Sequence, residues 1–215
     1  MGRPPGFAAQ ALRLTRRLTQ RVVQPYELGV TRVLLLDTYS IFFRAFYALP
    51  PMTTAAGQPT SALYGMSVML LKLLREEQPV GMAFALDGPD PTFRHVQSPD
   101  YKAQRAALAD PLREQLRLLP RLLEAFGAPR FCVPGFEADD VLATLAVELA
   151  SAGQAVRIVT GDRDLFQIVR DRVDVMFVGA RGRKPMIYDR AAVERRYGLR
   201  PDQLPSRTAL AGDVT

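Results

Sequence analysis

Three short apolar runs, each closed by an acid, constrain this 215-residue chain most strongly. Val33-Leu34-Leu35-Leu36 ends at Asp37, and Met82-Ala83-Phe84-Ala85-Leu86 ends at Asp87. Val156-Arg157-Ile158-Val159-Thr160 runs into Gly161-Asp162. Short runs with almost no polar alternation read as strands buried on both faces, the pattern of a parallel sheet. Helical stretches separate them. One covers Ser61 to Glu77, with Ser61 placed as an N-cap and Pro79 just past the end. Another runs from Pro111 to Phe126 and stops at Gly127, and a third from Glu137 to about Ala150. Phe131-Cys132-Val133 and Val173 to Val178 add two strands. Two short helices follow near Ala191–Tyr197 and Asp202–Ala211. Strand alternating with helix predicts an α/β fold with a mainly parallel sheet and helices on both faces. Sites in such folds form beyond the carboxyl ends of the strands.

A hydrophobic fraction of 48% excludes a wholly disordered chain. No uncharged apolar run reaches the ~18 residues of a membrane span. The longest apolar stretch, Tyr64 to Leu74, contains Lys72 and reads as a buried helix face. The single cysteine, Cys132, makes no intramolecular disulfide and reads as a small buried apolar residue. The single histidine, His95, excludes a zinc site built from several imidazoles. Neither GxGxxG nor GxxxxGK[ST] occurs, which argues against a dinucleotide cofactor or an NTP loop. Residues 1–30 carry Arg3, Arg13, Arg16, Arg17 and Arg21 against one acid, Glu27. They read as a flexible basic extension of a cytoplasmic protein, with organelle targeting as the alternative. The body is expected over 31–215. Its polar, proline-containing residues 88–110 read as a long functional loop or mobile helices.

The placement of acids is the chemical signal. Asp37 and Asp87 end two strands. Glu137, Asp139 and Asp140 occupy the first turn of a helix that follows a strand, and Asp162 and Asp164 follow another strand. Each acid alone has a structural explanation, as a turn former, a cap or a complement to a helix dipole. Seven delivered to one sheet edge repel one another strongly in a low dielectric. Without His or Cys ligands, the natural counter-ion is hard and oxygen-seeking, Mg²⁺ or Mn²⁺. Two such ions about 3.5–4 Å apart stabilise the attacking and leaving oxygens of a phosphodiester displacement. An aspartyl-phosphatase reading is disfavoured, because Asp37-Thr38-Tyr39 lacks the second acid of an Asp-x-Asp pair.

The strongest motifs are Gly135-Phe136-Glu137-Ala138-Asp139-Asp140-Val141-Leu142-Ala143 and Thr160-Gly161-Asp162-Arg163-Asp164-Leu165. Supporting stretches run from Phe43 to Leu49, Phe93 to His95, Tyr101 to Arg105 and Tyr197 to Gln203. In this order they resemble the 5′-nuclease domain at the N-terminus of bacterial DNA polymerase I, related to flap endonucleases. The resemblance spans about Val33 to Asp213. It implies a PIN-like, Rossmann-like fold with a helical arch over the site, and removal of nucleotides or flaps from DNA 5′ ends in replication and repair. It implies a first metal held by Asp37, Asp87, Glu137, Asp139 and Asp140. A second would be held by Asp162, Asp164 and a later Asp-x-x-Asp pair, whose first member matches Asp213. The pair's second Asp and the helix-hairpin-helix segment of the family are not within the sequence, so the domain is expected to be C-terminally incomplete.

The resemblance makes the stretch after Asp87 an arch for single-stranded 5′ ends. There Lys102 would contact the scissile phosphate, beside Arg105, and Tyr101 would stack on a base. Arg44 would contact phosphate with Phe43 stacking beside it, and Phe46 reads as core. Arg94 and His95 read as structural or phosphate-binding groups. A DNA polymerase is an implied partner, and nucleoid association follows from the substrate. Two other classes stay open: an inactive DNA-binding fragment and a PIN-type ribonuclease. The charge supports a polyanion partner. The chain carries +6 overall, with pI ≈ 9.8. Outside residues 1–30 and the eight proposed metal-site acids, bases clearly outnumber acids. That is an acidic pocket in a basic surface.

Overall fold

A computed structural model describes residues 32–98, 101, 107–179 and 184–211. In chain order the elements are β1 (Arg32–Asp37), α1 (Thr38–Ala48), α2 (Ser61–Glu77), β2 (Gly81–Ala85), α3 (Phe93–Gln97) and α4 (Asp110–Ala125). Then come β3 (Arg130–Phe131), α5 (Ala138–Ser151), β4 (Ala155–Thr160), a 3₁₀ turn (Asp164–Ile168), β5 (Val173–Phe177) and β6 (Met186–Tyr188). Last are α6 (Arg190–Tyr197), a second 3₁₀ turn (Pro201–Gln203) and α7 (Leu204–Ala211).

The strands form one sheet in the order β3-β2-β1-β4-β5-β6. β1 lies parallel to β2 on one side, from Val33↔Gly81 to Asp37↔Ala85. On its other side it lies parallel to β4, from Arg32↔Ala155 to Leu36↔Val159. β4 pairs in parallel with β5, ending at Thr160↔Phe177. Successive side chains leave opposite faces of a strand. Leu34, Leu36, Met82, Phe84, Val159 and Met176 therefore pack with α1, α2 and α4 in one cluster. Val33, Leu35, Ala83, Ala85, Ile158 and Val175 pack with α5 and α6 in the other. The mainly parallel α/β architecture read from the apolar runs is the one observed.

Several local expectations differ. β3 pairs over only two rungs, Phe84↔Arg130 and Ala85↔Phe131, and the chain then turns at Pro134. Cys132 consequently lies past the strand and is exposed, not buried. β6 is an antiparallel edge strand of only three residues, with Met186 and Ile187 exposed and Tyr188 buried, too short to stand out in the sequence. Phe42, fully buried, fills the core beneath α1, whereas Phe46 is only half-buried. Residues 88–110 begin with α3, whose cap pairs Thr92 with the His95 ring. Ser61 is the first residue of α2 rather than its cap. The amides of Ala62 and Leu63 instead donate to Oε1 of the buried Gln115, at 2.7 and 3.3 Å. A side chain from α4 thus satisfies the orphan donors of α2.

At the amino edge of the sheet an arginine is buried within β4. Arg157 donates to both carboxylate oxygens of Asp174, at 2.6 and 2.8 Å, and to Glu77 at 2.7 Å. Arg32 completes the cluster at 3.2 Å from Asp174. Removing one partner of a buried ion pair leaves the others uncompensated. Arg157→Ala is expected to lower unfolding stability by about 3 kcal/mol, read as a shift of the urea midpoint.

Candidate active site

The chain leaves β1 for β2 on one side and reaches β4 on the other. The crevice of this sheet therefore opens beyond the carboxyl ends of β1 and β4. Asp37 stands there, 6% exposed, as the last residue of β1 and the N-cap of α1. Its carboxylate accepts from the Ser40 amide at 3.2 Å and from the Thr160 hydroxyl at 2.6 Å. The same hydroxyl accepts from the Asp162 amide at 2.9 Å. Ser40 Oγ accepts from the Gly161 amide at 2.9 Å, and Arg44 Nη2 donates to the Gly161 carbonyl. α1 thus clamps the turn that carries Asp162. A Cβ on Gly161 would lie 1.6 Å from Arg44 Nε, so only glycine lets the guanidinium cross.

The first turn of α5 supplies the opposite wall. Asp87 accepts from the Ala138 amide at 2.7 Å, which seats the acid after β2 on the helix N-terminus. Glu137 is the buried N-cap, and Asp140 accepts from the Glu137 amide at 3.1 Å. Arg94 of α3 grips Asp140 through two bonds of 2.7 and 2.8 Å and reaches Glu137 at 3.2 Å. The Tyr101 hydroxyl donates to Glu137 at 3.2 Å. Asp162 accepts from the Asp164 amide at 2.9 Å, and Asp164 itself is exposed.

Asp139 stands between these walls with no ion-pair or hydrogen-bond partner among the described residues. Burial, reinforced by the charges of Asp37, Asp162, Asp87 and Glu137, pushes its carboxyl up to about 8. Asp37 is pushed up to about 6, mainly by burial and against the Thr160 and Ser40 hydrogen bonds. Burial and Asp87 also raise the Cys132 thiol and the Tyr39 hydroxyl.

Asp37, Asp87, Glu137, Asp139 and Asp162 therefore meet at one edge, as their strand-end positions imply. Among the described residues no three acids already stand in a ready-made metal-ligand shell. Asp140 faces Arg94 rather than the crevice acids. Arg44, expected at phosphate, is engaged with Gly161 and lies over the Phe177 ring, 5.4 Å from its centroid. Phe43 is half-buried and stacks on Tyr39 at 6.0 Å. Lys102, Arg105 and Asp213 lie outside the described residues. Sequence reasoning missed Ser40, Thr160 and Gly161 as the clamp, although the Thr-Gly-Asp turn beside an Arg-bearing helix was its only signal.

The same mainly parallel α/β fold occurs in solved T5 proteins. A T5 protein co-crystallised with metal ions superposes with a TM-score of 0.66 at 19% identity, over 85% of this chain and 67% of that one. The T5 5′-exonuclease with bound zinc gives 0.61 at 19% identity, over 83% of this chain and 65% of that one. Residues 32–198 match the model of the 5′-3′ exonuclease N-terminal, resolvase-like domain, and the chain belongs to that family. DNA polymerase I of Mycobacterium tuberculosis is 42% identical over 84% of this chain and 20% of its own length. The thermostable DNA polymerase I of Thermus thermophilus is 41% identical over 85% of this chain and 21% of its own length. The 5′-3′ exonuclease of Aquifex aeolicus is 37% identical over 83% of this chain and 61% of its own length. The chain thus spans about a fifth of the polymerases it matches and about three fifths of the shorter relative.

Because the Asp139 carboxyl is raised when folded, the folded state binds more protons than the unfolded one between pH 3.8 and about 8. Its neutral form favours folding at low pH, and that contribution is lost as pH rises through about 8. In EDTA the melting temperature is expected to fall across this range. Asp139→Asn should flatten the decline, as measured by thermal melts at several pH values.

Proposed function

We propose that this chain is a divalent-cation-dependent 5′-3′ nuclease that hydrolyses phosphodiester bonds at DNA 5′ ends and 5′ flaps by a two-metal mechanism. One observation carries the reading: the four strand ends and helix turns that meet at the sheet's carboxyl edge all deliver acids, and the Asp139 carboxylate among them pairs with no cationic side chain among the described residues. The donor set fits Mg²⁺ or Mn²⁺, because it is built of oxygens alone and its carboxyls are raised by burial, with repulsion from neighbouring acids adding to it. Asp37, Asp87, Glu137 and Asp139 would hold one ion, with Asp140 orienting Glu137 through its amide and through Arg94, and Asp162, Asp164 and Asp213 would hold the other. Such ions stabilise the attacking and leaving oxygens of a phosphodiester displacement.

The chain's own groups prepare that chemistry. Thr160 and Ser40 hold Asp37 in one orientation. Arg94 and the α5 N-terminus hold Asp140, Glu137 and Asp87. Lys102 and Arg105 are proposed to contact the substrate backbone, with Tyr101 and Phe43 against its bases. Membership of a family whose matched relatives include DNA polymerases supports a role beside DNA synthesis, in primer removal and repair. A polymerase module is the proposed partner, and the nucleoid the proposed location.

A labelled 5′-flap DNA with Mg²⁺ or Mn²⁺ tests the reading. Cleavage should stop with EDTA and fall at least about a hundredfold in Asp139→Ala or Asp162→Ala, with the folded circular-dichroism spectrum retained. Binding without product would instead identify a DNA-binding fragment. Faster cutting of the matched RNA flap would identify a PIN-type ribonuclease.

A further inference from the structure

Phe177 is the last residue of β5 and pairs with Thr160, one strand away from Asp37. Its ring rests against Phe166 at 5.6 Å and Tyr188 at 6.3 Å, both buried, so the core fixes its orientation. Two guanidinium groups lie over this ring. Arg44 is 5.4 Å from the centroid and spends its donor on the Gly161 carbonyl. Arg163 is 5.7 Å from the centroid and exposed. It sits between Asp162 and Asp164 in sequence, yet its guanidinium has no ion-pair or hydrogen-bond partner among the described residues.

A guanidinium laid against an aromatic ring is oriented at its face and keeps its N–H edge available for a planar, bidentate acceptor. The acceptor that belongs at this position is a phosphate. A polyanionic strand approaching Asp37, Asp139 and Asp162 is repelled by them, and each backbone phosphate beside the crevice needs a compensating cation. On the α5 side Arg94 is already engaged by Asp140 and Glu137. On the β5 side Arg163 is, among the described residues, a cation free to act.

We infer that Arg163, held on the Phe177 ring, grips a backbone phosphate of the bound nucleic-acid strand next to the scissile position. This rests on the nuclease reading above and adds to it a residue that the acid pattern did not single out. Such a contact positions the strand without reading bases.

Binding of a labelled 5′-flap DNA in EDTA, where no cutting occurs, separates the two claims. Fluorescence anisotropy across a salt series gives both affinity and the salt slope. Arg163→Ala should weaken binding about tenfold for any flap sequence. It should also reduce the salt slope by about 1. Arg163→Lys keeps the charge but not the planar fork, so the slope should persist with about threefold weaker binding. Arg75→Ala removes an exposed charge at the opposite edge of the sheet and should change neither quantity. Salt-sensitive binding by the wild type with an unchanged slope in Arg163→Ala would overturn the Arg163 contact alone. Absence of DNA binding by the wild type would overturn it together with the nuclease reading.

Discussion

Uncompensated negative charge confined at one edge of the sheet is the constraint around which this domain is arranged. Asp37, Asp87, Glu137, Asp139 and Asp162 arrive from separate segments, and protein groups offset most of them individually. The Thr160 hydroxyl and Ser40 amide serve Asp37, the Ala138 amide serves Asp87, and Arg94 and Tyr101 serve Glu137. Asp139 receives nothing comparable among the described residues, and its carboxyl is the most strongly raised. Repulsion concentrated on one group makes the site responsive to protons and to cations through the same atom. In the proposed nuclease reading, a divalent ion would compete with a proton for this carboxylate.

The clamp from α1 gives that position its mechanical stability. Ser40, Arg44 and Asp37 lie on successive turns or at the cap of one helix, and all three engage the turn at residues 160–162. The strand pairing of β1 with β4 is thereby continued past the last rung by side chains. Asp162 is consequently held by the same helix that Asp37 begins. A shift of α1 would move Asp37 and Asp162 together, relative to the wall that α5 supplies.

Much of this was legible in the sequence, for identifiable reasons. β1, β2 and β4 are buried on both faces, so their apolar runs are uninterrupted and their terminal acids stand out. β3 and β6 are edge strands of two and three residues, so the bounds of one and the existence of the other leave little trace in the sequence. Cys132 was misplaced with β3: two residues of pairing carried the chain out to solvent sooner than the apolar run suggested. The partners of the acids were illegible for another reason. Arg94 to Asp140, Gln115 to Ala62 and Arg157 to Glu77 are each separated by tens of residues, and no local pattern announces them. The Glu-Ala-Asp-Asp turn was visible as a donor set, but which of its acids would be claimed by an arginine was decided by where α3 lands.

The Arg157 cluster at the amino edge carries a consequence for ion selectivity within the molecule. There two acids, Glu77 and Asp174, meet two arginines, Arg157 and Arg32, and charge is balanced by residues of the chain itself. The two ends of the same strands thus follow opposite rules: one is neutralised internally, the other is left in deficit. A free cation entering this domain has no comparable reason to linger at the balanced end. The sheet is thus electrostatically polarised along its strands, with the acid-rich end at their carboxyl termini.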